Sequence, residues 1–253
     1  MTERRQDARQ VFGARAATYT YSATHTDPVV LARVVALAQP QPGWRALDVG
    51  TGTGHTAFAL APHVAEVVGI DLTPEMLAEA EGLRARNGRH NVTFEIADVQ
   101  ALPQPDASFD LVTCRRAAHH FTDLPRALAE MHRVLRPGGR LVIDDRSVPE
   151  DDWVDAAMNH LDRLHDPSHV REYRASEWVA LLEAAGFVVE AVEPYLQHRP
   201  LTSLTERAAP EDAQALHAWV AGLNGAQREA LALQSVNGET YSNHWYLMIA
   251  AHR

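Results

Sequence analysis

Three aspartates and a run of glycines carry the first chemical signal. Asp48-Val49-Gly50-Thr51-Gly52-Thr53-Gly54 ends the short apolar run Arg45–Val49 (RALDV) and precedes a helical pattern from about His55. Glycines at such a turn allow positive φ and let a ligand approach the main chain closely. The following helix start offers unpaired N–H groups and a positive dipole end, which suit a carboxylate or phosphate. Asp71 closes the run Glu66–Ile70 (EVVGI), where a carboxylate can accept both hydroxyls of a ribose. Asp98 follows Val92–Ala97 (VTFEIA), an acceptor suited to an exocyclic amino group, and Arg115 follows Phe109–Cys114 (FDLVTC). One aspartate at a strand end usually caps a helix or a turn. Three in this order after a glycine turn mark one ligand edge, because open α/β sheets bind at the carboxyl ends of their strands.

The elements that must position these groups follow from the spacing. The four runs above, with Arg140–Ile143 (RLVI), are short, β-branched and bounded by Gly, Pro or Asp, as strands covered on both faces are. Asp123–Arg136 carries Leu124, Ala127, Leu128, Met131, Val134 and Leu135 on one stripe; Asp123 caps it and Pro137-Gly138-Gly139 ends it. Thr73-Pro74 opens another helix, with Met76, Leu77, Ala80 and Leu83 on one face. Further on, Ser176–Ala185 reads as a helix, Phe187 to about Val192 as a strand, Glu211–Leu223 as a helix and His244–His252 as a last strand. About fifty residues separate the two final strands, too many for a hairpin loop. This predicts an α/β chain with an N-terminal helical segment, 1–40, folding over the site. The main domain, 41–253, contains a helical insert at about 200–240.

Composition narrows the classes. The 253 residues include 23 Lys+Arg against 33 Asp+Glu, a net charge of −10, which disfavours a broad nucleic-acid surface. Cys114 is the single cysteine, so disulfide scaffolding is excluded. Met1–Gln10 has no apolar core of a secretory signal, and no run approaches a membrane span, so the expected location is the cytoplasm. His160, His165 and His169 are spaced by five and four, which fits no tight zinc set, and no metal is expected.

The sequence resembles the class I S-adenosylmethionine-dependent methyltransferases, in the branch of ubiquinone/menaquinone-biosynthesis and related small-molecule enzymes. The resemblance rests on LDVGTGTG (Leu47–Gly54), VVGIDLTPEML (Val67–Leu77), IADVQALP (Ile96–Pro103), FDLVTCRRAAHHFTD (Phe109–Asp123) and LRPGGRLVIDD (Leu135–Asp145). It implies a Rossmann-like, seven-stranded, mostly parallel sheet with helices on both faces, helical cap elements and an antiparallel last strand. Its implied cofactor is S-adenosylmethionine. Asp48, Gly50, Thr51, Gly52 and Gly54 match the loop under the methionine part. Asp71 matches the ribose acid, and Leu72 and Met76 lie against the adenine. Asp98 and Val99 match the adenine contacts, and Arg115 the position whose main chain meets the methionine amino group.

Methyl transfer from a sulfonium is mainly a matter of positioning and water exclusion. His119 and His120 follow the fourth strand beside the expected methyl group, either as a base or as a hydrogen bond holding the loop at the helix start. Tyr19, in a Tyr19-x-x-Ser22-x-x-His25 run, either reaches the site or packs an amphipathic helix. The acceptor is expected to be a small molecule, quinone-like or aromatic, in a pocket bounded by the N-terminal segment, His165–Trp178 and the insert. Trp153, Trp178, Trp219 and Trp245 are available to line it. Monomer and homodimer both stand. Two alternatives stand beside this reading: a non-catalytic binder of S-adenosylmethionine or S-adenosylhomocysteine, and an NAD(P)-dependent oxidoreductase. The second follows from the formal G-x-G-x-x-A match of Gly52–Ala57, and is opposed by Asp48, an acid just before the turn.

Overall fold

In the computed structural model, which describes residues 8–206 and 208–253, nine strands form one sheet. They are β1 (Arg45–Val49), β2 (Glu66–Asp71), β3 (Val92–Ile96), β4 (Phe109–Arg115), β5 (Leu135–Val148), β6 (Tyr173–Arg174), β7 (Val188–Pro200), β8 (Gln234–Val236) and β9 (Glu239–His252). Seven of them run in the order β3-β2-β1-β4-β5-β9-β7, and the first five are parallel. β9 lies antiparallel between β5 and β7, as the resemblance implied. The order reverses between β1 and β4, which opens a crevice at the strand ends.

Two differences from the expected sheet share a cause. β5 begins at Leu135, running straight through Pro137-Gly138-Gly139, and both β5 and β9 are 14 residues long. Their overhangs recruit the two extra short strands, β6 on β5 and β8 on β9. β7 and β9 are both longer than the sequence pattern suggests and pair as a hairpin, and residues 201–238 sit on its tip, where the insert was expected.

The helices are α1 (Ala8–Gly13), α2 (Ala16–Thr20), α3 (Pro28–Ala38), α4 (His55–Leu60), α5 (Pro74–Asn87), α6 (Leu124–Val134), α7 (Asp152–His165), α8 (Ala175–Ala184), α9 (Thr202–Thr205), α10 (Pro210–Ala221) and α11 (Gly225–Ala230). Strand residues alternate between two cores, as the period of two requires. Leu47, Val68, Leu141 and Leu247 face α6 and α8, while Ala46, Val67, Val142 and Met248 face α3 and α4. The insert packs Leu204, Leu216 and Leu231 against Val154, Met158 and Leu161 of α7 in a third cluster. Among the described residues no helix is long and apolar enough to cross a membrane.

The stripe read from Asp123–Arg136 is buried as a unit, with the Asp123 carboxylate accepting the Arg126 N–H at 2.9 Å. Leu128 is fully buried between α6 and the sheet. Leu128→Ala should therefore cost about 2–5 kcal/mol of stability, read as a lower urea midpoint with an unchanged slope.

Candidate active site

The glycine turn is held from beneath by one carboxylate. Asp48, buried on β1, accepts the Thr51 hydroxyl at 2.6 Å and the Thr113 hydroxyl of β4 at 2.7 Å. Burial pushes the Asp48 pKa up, against the two hydroxyls that stabilise its charge. Gly50 and Gly52 have φ of +62° and +53°. A Cβ on Gly50 would lie 2.5 Å from that of Ala117, so only glycine lets the turn sit against the loop after β4. A Cβ on Gly52 would meet nothing within 4 Å, because that position faces open space. The resemblance puts Asp48 and Gly54 with the loop under the cofactor, and both belong to that turn in the structure. Asp48 bonds inward, and Gly54 packs against Phe58 and Phe94 at the start of α4. Both shape the turn without lining the cavity.

Above the turn lies a cavity of about 510 Å³, within the usual range for small-ligand sites. Its wall includes Gly50, Thr51, Gly52, Asp71, Leu72, Met76, Asp98, Val99 and Arg115, so four neighbouring strand ends contribute to one space. Asp71 takes the Gly52 N–H on Oδ2 and the Thr73 N–H on Oδ1, both at 2.9 Å. Each oxygen keeps a second lone pair for a ligand hydroxyl. Burial raises the Asp71 pKa, and the two N–H donors counter it. Asp98 accepts the Gln100 N–H at 2.8 Å on Oδ1 and caps a short turn that carries Val99. Arg115 points its side chain inside, donating to Thr56 Oγ1 and to the His25 carbonyl, both at 2.8 Å. Its remaining Nη1 is buried without a hydrogen-bond partner. An open glycine face, an acid with two spare lone pairs and an orphaned guanidinium nitrogen fit an adenosyl group with an amino-acid carboxylate. The Arg115-Arg116 pair is inside the protein: Arg115 is buried, and the Arg116 side chain is only 5% exposed.

The N-terminal segment closes this space from outside. Ala8, Phe12, Tyr19 and His25 line the cavity, and Thr20 ties α2 to α5 by donating to Glu79 at 3.0 Å. Tyr19 packs edge-on against Phe12 and His25, with centroids 5.7 and 4.8 Å away.

Behind the cavity is a second chamber of about 150 Å³, which shares Phe12, Tyr19, His25, Arg116 and His120 with the first. It lies between the N-terminal segment, the end of α7 and the start of the insert, where an acceptor pocket was expected. Its lining, however, is polar and charged. None of the four tryptophans named above lines either space. Trp178 is buried in the core, and Trp153 stacks on Trp219 at 6.4 Å.

The two histidines divide between the spaces. His120 lines both, whereas His119, expected beside the donor, lines only the inner chamber. The reason is Asp145 on β5, whose Oδ1 lies 2.5 Å from His119 Nδ1 and whose Oδ2 accepts the His119 backbone N–H. A carboxylate fixes Nδ1 as the donor and leaves Nε2 as an acceptor. Burial works against the Asp145 charge, but His119 outweighs it and holds the carboxyl below its usual value. His120 Nδ1 lies 3.3 Å from the Ser168 carbonyl, which likewise leaves its Nε2 bare. Burial and neighbouring His119 push His120 down to about 4. Asp145, Arg116 and Ser168 are the site residues the sequence reading assigned no role. The visible signal for Asp145 was two adjacent acids inside a buried strand, Asp144-Asp145.

The other histidines are engaged separately. His165 Nδ1 meets the Leu204 carbonyl at 2.7 Å, His169 Nε2 meets Asn159 Oδ1 at 3.1 Å, and His160 lies against Trp219. Cys114 is buried, and that burial pushes its thiol well above the usual value, so it packs rather than attacks.

A family model described as a methyltransferase domain matches residues 40–186. The uncharacterised methyltransferase YcgJ of Bacillus subtilis is 45% identical over 151 residues, 60% of this chain and 60% of that protein. A demethylmenaquinone methyltransferase of Deinococcus radiodurans is 50% identical over 102 residues, 39% of this chain and 42% of its own length. These matches thus span less than two thirds of either relative. The crystal structure of the Bacillus subtilis YcgJ protein superposes with a TM-score of 0.84 at 32% identity, covering 88% of this chain and 97% of that one. A putative methyltransferase structure from Bacillus halodurans C-125 gives the same TM-score, 0.84, and the same coverage at 31% identity. Since Asp48 faces inward, it offers no objection to a pyrophosphate; the family match, rather than that acid, decides against the nicotinamide alternative.

The fold keeps His120 and His169 neutral, pushed down to about 4 and about 3 from 6.5. Below about pH 6.5 the unfolded chain takes up protons that the native protein refuses, so stability should fall as pH drops from there towards 4. Thermal unfolding across that window should show the loss, and His120→Asn should flatten part of the slope.

Proposed function

Because the chain belongs to the methyltransferase-domain family, whose members of this fold use S-adenosylmethionine, we propose that it methylates a small-molecule acceptor at carbon or oxygen. The observation that supports this best is the convergence of the glycine turn, Asp71, Asp98 and Arg115 on one cavity of about 510 Å³. In this reading Asp71 accepts the ribose hydroxyls, and Leu72 and Met76 flank the adenine. Asp98 and the Val99 N–H meet the polar edge of the adenine, and the Gly50–Gly52 backbone with Arg115 holds the amino-acid end. The bound cofactor supplies an electrophilic methyl group on a positively charged sulfur.

The protein's own contribution is alignment and dryness. Phe12, Tyr19 and His25 cover the cavity and exclude water from the displacement. An acceptor in the inner chamber meets His119 Nε2, and the Asp145 carboxylate stabilises the imidazolium that forms when a proton leaves. His120 stands at the shared wall, neutral near pH 7, and positions the acceptor or takes the proton. Tyr19 lines both spaces and orients the acceptor. A quinone-like acceptor was suggested by resemblance alone, and the polar lining of the chamber favours a more polar one.

Calorimetry with S-adenosylmethionine and radiolabelled methyl transfer to a metabolite panel test this reading. Binding followed by transfer supports it. Tight binding without transfer to any acceptor would favour the non-catalytic binder, and heat with NAD but not with S-adenosylmethionine would overturn both. Asp71→Ala should weaken cofactor binding about 10–100-fold. His119→Asn should lower kcat about 10²–10⁴-fold with cofactor affinity unchanged, if a proton leaves in the step.

A further inference from the structure

The inner chamber is lined by two guanidinium groups, those of Arg116 and Arg199, that no carboxylate meets at hydrogen-bond distance. Arg116 stands in the left-handed region at φ +53°, and its backbone N–H is anchored 2.7 Å from the Asp144 carbonyl. That backbone turn aims the side chain inward, where the guanidinium lies 4.6 Å over the Tyr246 ring. Arg116 Nε is buried without a hydrogen-bond partner: the Oδ2 of its ion-pair partner Asp144 stays 3.8 Å away, while Asp144 Oδ1 accepts the Tyr195 hydroxyl at 2.7 Å and Arg116 Nη2 reaches that hydroxyl only at 3.5 Å. Arg199, on β7, reaches the same tyrosine from the other side. Its side chain donates to two neutral hydroxyls, Tyr246 at 3.5 Å and Thr24 at 3.1 Å. No carboxylate among the described residues forms an ion pair with it.

The acids of the chamber are engaged elsewhere or lie at its edge. Asp162 pairs with Arg146 at 2.7 Å, and Glu172 pairs with the same guanidinium. Asp166 accepts the Ser168 N–H at 2.8 Å and the Ser168 hydroxyl at 2.6 Å. Glu206 is exposed at the rim. A buried guanidinium nitrogen without an acceptor is costly, and a planar oxyanion satisfies such a fork with charge-assisted bonds.

We propose that the acceptor is a small oxyanion-bearing molecule whose carboxylate or phosphate is held between Arg116 and Arg199 in the inner chamber. The inference rests on the methyltransferase reading and adds the chemical class of its acceptor. The chamber volume of about 150 Å³ limits the anion to a compact molecule, and His119 and His120 in the same wall face its nucleophilic group. Rim acid Glu206 and engaged Asp162 would repel a second negative charge deeper in, so one anionic group is expected.

The test is titration calorimetry on the full chain saturated with S-adenosylhomocysteine. The probes are 3-hydroxybenzoate, its neutral methyl ester and 3-hydroxyphenyl phosphate. At least one anion should bind about tenfold or more tightly than the ester, and Arg199→Met should erase that preference while leaving S-adenosylhomocysteine affinity unchanged. The tighter of the two anions identifies carboxylate or phosphate. Equal binding of ester and anions, or no heat from either anion, overturns the proposal and leaves the methyltransferase reading standing. Failure of S-adenosylhomocysteine itself to bind overturns both. If Arg199→Met does not fold, the comparison of anion with ester in the unaltered protein decides alone.

Discussion

The Asp48 carboxylate, sealed from water, accepts hydroxyls from Thr51 and Thr113, and so ties β1, the glycine turn and β4 to a single charge. Hydrogen bonds to an ionised group contribute about 1.5–3 kcal/mol each, and losing one inside a dry core leaves a charge uncompensated. The turn is therefore fixed from below, which frees its upper surface for a ligand. Gly50 then lies flush against Ala117, and Gly52 presents bare backbone to the cavity. Asp71 adds a second tie by accepting the Gly52 N–H, so the floor of the site is rigid before anything binds. Preorganisation of this kind suits a displacement whose rate depends on alignment more than on covalent chemistry.

Two spaces of opposite character meet at one wall. The larger is lined by strand ends that lie close in sequence to apolar runs, and the smaller by arginines, histidines and acids from five separate segments. His119 and His120 are adjacent in the chain but point to different partners, Asp145 and Ser168. Their rings are 4.0 Å apart, so a positive charge on one opposes a charge on the other. The wall thus keeps at most one imidazolium, a useful property beside a cationic sulfur.

The floor of the larger space was legible because it is local. Glycines, three strand-end aspartates and the period of two lie within a hundred residues and obey backbone rules that need no tertiary knowledge. Asp48 and Gly54 show the limit even there: residue type placed them in the turn, but which way each faced depended on Thr113 and on Phe94, both far along the chain. The inner chamber had no local pattern at all. Arg116, Arg199 and Tyr246 come together because β9 inserts between β5 and β7, a topology that carries β7 back alongside the α7 end. The tryptophans misled for a related reason, since large rings satisfy the core of α7 and the insert before they are free to serve a ligand.

The bond from Arg115 to the His25 carbonyl has a mechanical meaning. It joins the floor of the larger space to the segment that roofs it, using a cation buried almost completely. Lifting the roof breaks a charge-assisted contact of about 1.5–3 kcal/mol, which weights the shut form by roughly ten- to a hundredfold. One buried arginine thus serves as the bolt between floor and roof.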